Sequence, residues 1–232
     1  MSALKDKPRL SAKSRVVLVD DHRMVLNGYK LMLAAEPDLA VCGLATSVPE
    51  ALTAVERERP DLVVTDLTMA GRGGLDLIKD LLALHPGLRI LVCSMHDEAL
   101  YAERALRAGA KGYVMKDADG PTFLAAIRRV LGGQLYMSEK LAARVLDAFA
   151  GAHQREGHSL LEKLSDRELE VFRLFGEGKT AKEIAAQLNL SPKTVSVHRD
   201  HIREKLEFHT SAEMIRQAVR YVETEHVSGK GE

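Results

Sequence analysis

The sequence predicts an α/β domain with a five-stranded, parallel, doubly wound sheet, followed by a helical linker and an all-α domain of four helices containing a helix-turn-helix. Three observations predict it. Five short apolar runs recur in the first half: VVLVD (16–20), LAVCGLA (39–45), LVVTD (62–66), RILVCS (89–94) and KGYVM (111–115). Between them lie stretches whose apolar residues fall three and four apart. Past residue 160 the pattern is helical only. Strands alternating with helices give a parallel sheet, and a run of helices alone gives a separate bundle.

Each element follows from its residues. Residues 1–14 are polar and basic, without the apolar core of a signal peptide, and are expected to be a disordered lead. Residues 15–132 hold the five strands and the helices expected at 24–35, 48–58, 75–84, 97–108 and 120–132. Strands this continuously apolar suit a sheet covered on both faces. Gly132-Gly133 closes the fifth helix. Residues 133–160 read as a linker, with SEKLAARVLDAFAG fitting one amphipathic helix and AHQREGHS breaking the pattern. Residues 161–225 read as four helices at 166–176, 181–188, 192–207 and 211–224. Ser165 with Glu168, and Thr180 with Glu183, have capping-box spacing. Ser191-Pro192 places a serine cap before proline at the first helical position. The expected small core is Val171, Leu174, Phe175, Ile184, Leu188, Val195, Val197, Ile202 and Leu206. Residues 226–232 are a frayed tail.

Composition excludes several classes. The 232 residues allow one or two domains. No apolar run approaches the roughly 20 residues that span a bilayer. Zero net charge points to no partner, and the absence of tryptophan disfavours a stacking platform for single-stranded nucleic acid. Cys42 and Cys93 sit in apolar stretches without zinc spacing and are expected to pack; a reducing cytoplasm is the expected location.

Open parallel sheets build their sites beyond the carboxyl ends of the strands. The first strand delivers Asp20-Asp21 there, the third Asp66, the fourth Ser94, and the fifth runs into Lys116. Three carboxylates together need a cation, and all-oxygen ligands point to Mg²⁺. A carboxylate nucleophile, a metal, a hydroxyl and an ammonium make a site for a phosphoryl group carried on aspartate. Acids at strand ends also solvate loops or cap helices, which is the plainer reading of Asp21 or Asp66 taken singly. VDDHRMVLNG after the first strand has no Gly-x-Gly-x-x-Gly, which disfavours a dinucleotide fold.

The pattern VDDH…DLTM…SMHDE…AGAKGYVMKD resembles the receiver domain of two-component response regulators, over about residues 15–132. The resemblance implies that Asp66 accepts a phosphoryl group from a sensor histidine kinase. It implies Asp21 as a direct Mg²⁺ ligand, Asp20 as one through water, and the backbone carbonyl of Thr68 as a further ligand. Ser94 and Lys116 would hold phosphoryl oxygens, and Tyr113 matches the aromatic switch residue. Ala70 departs from the usual proline and GRGG from a usual acidic residue, so a looser loop after Asp66 is expected. Asp117 stands where many receivers have proline.

The C-terminal helices carry a second signal. The tight turn Asn189-Leu190-Ser191 leads into a helix bearing Lys193, Thr194, Ser196, His198, Arg199, His201, Arg203 and Lys205. Such a helix suits a major groove, with short polar groups on bases and long basic ones on phosphates. A plain bundle with a solvated face fits the same charges. The segment LSDRELEVFRLFGEGKTAKEIAAQLNLSPKTVSVHRDHIREKL resembles the LuxR-type helix-turn-helix, over about residues 161–225. Coupled to a receiver, it is identified as a member of the NarL/FixJ group of transcriptional regulators. That resemblance implies a scaffold helix at 181–188, a recognition helix at 192–206, and base-facing Ser196, Val197 and Asp200. Lys193, Thr194, His198 and Arg203 would lie near phosphates of promoter DNA. Asp200 departs from the basic residue common there. The last helix would pack in the core and also make a homodimer contact on paired half-sites.

The expected mechanism is a switch. Phosphorylation draws in Ser94 and Lys116, and releases or dimerises the C-terminal domain, whose recognition helix is expected to be covered beforehand. Two competing readings remain. A receiver that no longer accepts phosphate would act as a DNA-binding scaffold. An aspartyl phosphatase would need a second acid where Thr68 stands.

Overall fold

The computed structural model describes residues 13–69, 73–96, 98–139, 141–143 and 160–228. Five parallel strands, β1 (Ser14–Val19), β2 (Leu39–Ala45), β3 (Leu62–Thr65), β4 (Arg89–Ser94) and β5 (Gly112–Met115), stand in the order β2-β1-β3-β4-β5. They alternate with α1 (Arg23–Ala34), α2 (Val48–Glu58), α3 (Gly74–Leu84), α4 (Glu98–Ala108) and α5 (Gly120–Leu131). The order reverses between β1 and β3, and their carboxyl ends are where the strand-end acids fall.

Alternation along the strands explains the continuous apolar runs. Val16, Leu18, Leu62, Val64, Leu91 and Cys93 pack on one face with Leu26 and Leu33 of α1 and Phe123, Ile127 and Val130 of α5. Val17, Val19, Val63, Ile90, Val92 and Tyr113 pack on the other face, with Ala51 and Val55 of α2, Leu77 and Leu81 of α3, and Ala102 and Ala105 of α4. A residue pointing either way is therefore buried, and hydrophobic burial favours both faces. Cys93 is buried and Cys42 half-buried, both as free thiols.

The chain does not leave the sheet where α5 ends. Gly132 caps that helix and Gly133 takes φ of 80°, a region glycine reaches without strain. Tyr136 then runs beside β5: the Tyr113 N–H donates to the Tyr136 carbonyl and the Tyr136 N–H to the Lys111 carbonyl, each at 3.0 Å. The start of the expected linker thus extends the sheet by a bridge. Residue 139 and residues 141–143 are helical, and most of the expected linker helix lies outside the described residues.

A short 3₁₀ turn (Leu160–Lys163) precedes four helices, α6 (Asp166–Gly176), α7 (Ala181–Gln187), α8 (Pro192–Lys205) and α9 (Ser211–Ser228). Both capping boxes form, at Ser165/Glu168 and Thr180/Glu183, and Ser191 caps α8. Asn189 has φ of 52° in the tight turn before α8. α6 and α9 cross so closely that a Cβ on Gly176 would lie 2.3 Å from the Ala218 carbonyl oxygen. Leu169, Phe172, Ile184, Val195, Ile202, Met214 and Ala218 fill the core. Val197, expected in that core, is 44% exposed and belongs to the surface.

The two domains touch. The core cluster of the α2–α3–α4 face continues through Leu141, Leu161 and Leu164 into the C-terminal core. Asp166 of α6 pairs with Arg104 of α4 and Lys79 of α3, each at 3.0 Å, and Arg104 also donates to the Leu161 carbonyl at 3.0 Å. Among the described residues no helix is long and apolar enough to cross a membrane.

Candidate functional site

The strand ends bring three of the expected residues into direct contact. Lys116 Nζ lies 2.5 Å from Asp20 Oδ2 and 2.8 Å from Asp66 Oδ2, and both aspartates are buried. Asp66 Oδ1 accepts the Leu67 N–H at 2.6 Å, and Asp20 Oδ1 accepts the His22 N–H at 2.8 Å. Burial alone would push the Lys116 ammonium toward deprotonation, but Asp66 and Asp20 more than offset it and hold its pKa above the ordinary value.

Asp21 sits beside this group, with the His22 ring next to it. Its Oδ1 is 2.7 Å from His22 Nδ1 but without hydrogen-bond geometry, and it has no other hydrogen-bond partner. Burial raises its pKa; His22 opposes this, and Asp20 and Asp66 add to the rise. Asp20, Asp21 and His22 form the one group of three potential metal ligands close enough to share an ion among the described residues.

Ser94 is buried at the end of β4, with its hydroxyl accepting the His96 N–H at 3.4 Å. The Lys116 N–H donates to the Ser94 carbonyl, tying the two strand ends together at 2.9 Å. Tyr113 is fully buried, and its hydroxyl donates to the His96 carbonyl at 2.8 Å. Burial pushes that phenol well above its usual pKa.

His96 is the residue that sequence reasoning missed. Its Nε2 shares a 2.5 Å hydrogen bond with Thr68 Oγ1, and its ring stacks on Tyr101 at 4.5 Å. Burial, with Arg173 of α6 next, lowers its pKa to about 3, so the ring is neutral. The sequence signal was SMH, the histidine two places after Ser94, but nothing in the string shows its partner across the rim.

Gly74, the last residue of GRGG, is closely packed at the start of α3. Residues 70–72, with Ala70 among them, lie outside the described residues. A Cβ on Gly74, however, would sit 2.2 Å from the Asp66 carbonyl oxygen and 2.6 Å from Leu67 Cα. The Gly74 N–H donates to the Leu67 carbonyl at 2.8 Å. Gly74 is there for close approach of α3 to the acidic residue, not for freedom.

On the C-terminal domain, Lys193 and Val197 are exposed on α8, and Thr194, Ser196, His198, Asp200 and Arg203 are partly exposed. Ser191 Oγ accepts the Thr194 N–H at 3.0 Å and lies 2.8 Å from Thr194 Oγ1; the Ser196 hydroxyl donates to the Pro192 carbonyl. Asp200 lies 3.8 Å from Arg199 Nε. The scaffold behind this helix is braced by the buried Glu168 of α6, which accepts Lys205 Nζ at 2.6 Å.

The family described as "Response regulator receiver domain" matches residues 16–128, and "Bacterial regulatory proteins, luxR family" matches residues 162–218. Oxygen regulatory protein NreC of Staphylococcus carnosus is 32% identical over 210 residues, covering 89% of this chain and 97% of that protein. Response regulator GacA of Pseudomonas viridiflava is 35% identical over 207 residues, covering 89% and 96%. Among solved structures, the RcsB response regulator of Salmonella typhimurium has a TM-score of 0.69 at 25% identity, covering 90% of this chain and 98% of that one. RcsB from Salmonella enterica serovar Typhimurium, bound to a promoter in the presence of a phosphomimetic, has a TM-score of 0.66 at 26% identity, covering 89% and 98%. With a receiver-domain match on the five-stranded sheet and a luxR-family match on the C-terminal helices, the chain belongs to the NarL/FixJ-type response regulators, DNA-binding transcription regulators with a receiver domain.

Proposed function

We propose that Asp66 is the phosphoacceptor of a receiver at 15–132, joined by a linker at 133–160 to a luxR-type DNA-binding domain at 161–225. The observation that carries the reading is Lys116 Nζ bridging Asp20 and Asp66, beside an Asp21 oxygen with no hydrogen-bond partner. The donor is a phosphohistidine of a sensor histidine kinase. An Asp66 oxygen forms the new bond to phosphorus as the P–N bond breaks, and the departing imidazole nitrogen keeps the electron pair and takes up a proton. Lys116 holds phosphoryl oxygens. Ser94, already at the limit of its hydrogen bond to the His96 N–H, turns its hydroxyl toward them.

The four donors proposed for the ion fit Mg²⁺, being all oxygen with an excess of negative charge; of the compact group Asp20, Asp21 and His22, the two carboxylates belong to the set and the ring does not. Asp20, Asp21, Asp66 and the Thr68 carbonyl would hold the ion, which supplies neutralisation of phosphoryl charge.

The C-terminal domain binds double-stranded promoter DNA through α8, as a homodimer on paired half-sites. Ser196, Val197 and Asp200 face bases, and Lys193, Thr194, His198 and Arg203 lie near phosphates. The promoter-bound RcsB structures support the binding of promoter DNA by similarity.

With acetyl phosphate and Mg²⁺, the wild type is expected to become phosphorylated and to bind promoter DNA more tightly at fixed salt, while Asp66→Asn does neither. Equal DNA binding by both proteins, with no response to the donor, would sink the switch and leave a constitutive scaffold. Steady turnover of a simple phosphate ester would instead indicate a phosphatase.

A further inference from the structure

Two sets of donor atoms meet at the end of β1, and only one of them is the set proposed for Mg²⁺. Asp20 divides its oxygens between two partners. Oδ2 pairs with Lys116 Nζ at 2.5 Å, and Oδ1 lies 3.2 Å from His22 Nδ1. Asp21 Oδ1 lies 2.7 Å from the same ring nitrogen. One donor atom from each of Asp20, Asp21 and His22 thus falls within 4.8 Å of the other two.

The turn between β1 and α1 brings them together. Asp20 Oδ1 accepts the His22 N–H at 2.8 Å, which folds the chain back on the strand end. His22 stands at the N-cap of α1 in extended backbone, yet its side chain makes no capping hydrogen bond. Its ring is 68% exposed, so a cation reaches it from solvent.

A protonated ring between two carboxylates is the plainer reading of these contacts. It accounts for the Asp20 contact, but the Asp21 oxygen, though nearer, is a buried atom without a hydrogen-bond partner. A shared proton must lie close to the line between its two atoms, whereas a metal ion needs only lone pairs that converge on it. Donors about 2.1 Å from one ion stand roughly 3.0–3.4 Å apart. The Asp20–His22 separation already fits that spacing, and the Asp21–His22 separation needs only to open slightly.

We propose that Asp20, Asp21 and His22 bind a borderline divalent cation, of the Zn²⁺ or Co²⁺ class, in a mode distinct from the Mg²⁺ set and exclusive of it. An imidazole nitrogen suits such ions, whereas Mg²⁺ favours carboxylate, carbonyl and water oxygens. Asp21 is the ligand the two modes share, so an ion on His22 withholds it from Mg²⁺. The borderline cation would thereby block Mg²⁺-dependent phosphorylation. That consequence rests on Asp66 being the phosphoacceptor; the cation site does not.

The test titrates the full chain with Co²⁺, followed by its visible absorption and by calorimetry. The wild type should take up an equivalent that His22→Ala binds at least about 10-fold more weakly, while the calorimetric affinity for Mg²⁺ stays within about 2-fold. Histidines elsewhere contribute equally to both proteins and drop out of the difference. His22→Cys, which offers a thiolate in place of the ring, should keep Zn²⁺ binding. Excess Mg²⁺ should displace the His22-dependent Co²⁺, and Asp21→Asn should weaken both ions. Zn²⁺ should inhibit phosphorylation by acetyl phosphate and Mg²⁺ in the wild type and do so much less in His22→Ala. Equal Co²⁺ binding by wild type and His22→Ala, or none by either, overturns the site. Mg²⁺ and His22-dependent Co²⁺ bound together overturn the exclusion. Loss of the Co²⁺ equivalent in Asp66→Asn places the cation in the Mg²⁺ set instead. Phosphorylation persisting in Asp66→Asn, with the Co²⁺ equivalent intact, faults the phosphoacceptor reading and leaves the cation site standing.

Discussion

Single side chains at the rim set opposing demands on stability and function. Asp21 carries a carboxyl whose pKa is raised in the folded chain, through burial and the neighbouring Asp20 and Asp66. A folded-state pKa above the unfolded one means the folded state binds the extra proton, so the charged form destabilises it near neutral pH. Asp21→Asn is therefore expected to raise stability without Mg²⁺ at pH 7 by less than about 1 kcal/mol, because solvent screens a partly exposed carboxylate. The gain should shrink as pH falls through the raised pKa and into the usual carboxylate range. Urea unfolding at several pH values checks it, and a loss of stability at pH 7 would contradict the crowding described. Gly74 is the second case. Its missing side chain lets α3 start 2.2 Å, at the Cβ position, from the Asp66 carbonyl oxygen. Gly74→Ala must push that backbone, at a cost of about 1–3 kcal/mol. Phosphorylation by a small donor should slow by more than the loss of folded protein explains.

At the scale of elements, α6 and α8 show how local rules and tertiary contacts share the work. Val195 and Val197 lie two apart on α8, yet the first is 0% and the second 44% exposed. Val195→Ala should cost about 1–3 kcal/mol in unfolding free energy. Val197→Ala should cost within about 0.5 kcal/mol while weakening DNA binding. Chemical denaturation and a binding titration on the two variants separate the roles. Glu168 on α6 gives a pH-dependent case. Burial pushes its carboxyl up, but Lys205, the Ser165 N–H and the Ser165 hydroxyl outweigh that and hold its pKa below the usual value. A depressed folded pKa contributes stability above the ordinary carboxylate range, lost as pH falls through the folded value. Glu168→Gln is expected to lose about 1 kcal/mol at pH 7 and to converge on the wild type in acid. A constant difference across pH would show that the charge does not matter.

Across the whole molecule, the receiver and DNA-binding cores form one connected cluster, but the charged contact between the domains is narrow. A narrow, partly exposed contact suits a switch, since ion pairs of this kind contribute roughly 0–1 kcal/mol each. Arg104→Ala should therefore leave the unfolding of each domain nearly unchanged while increasing the radius of gyration in small-angle scattering. An unchanged radius would mean that the apolar contacts alone hold the domains together.

The order of elements, both capping boxes and the residues at the strand ends were determined by the sequence by itself. Each follows from short-range pattern: continuous apolar runs where a strand is buried on both faces, serine or threonine three residues before glutamate at a helix start, and acids where a strand stops. Val197 could be read as core or surface from its spacing, and burial decided it. The tertiary structure alone decided that His96 bonds Thr68, that Gly74 touches Asp66, and that Asp166 meets Arg104. The last pair is 62 residues apart, and such pairs leave no periodic trace in the chain because only the packing of finished elements brings them together.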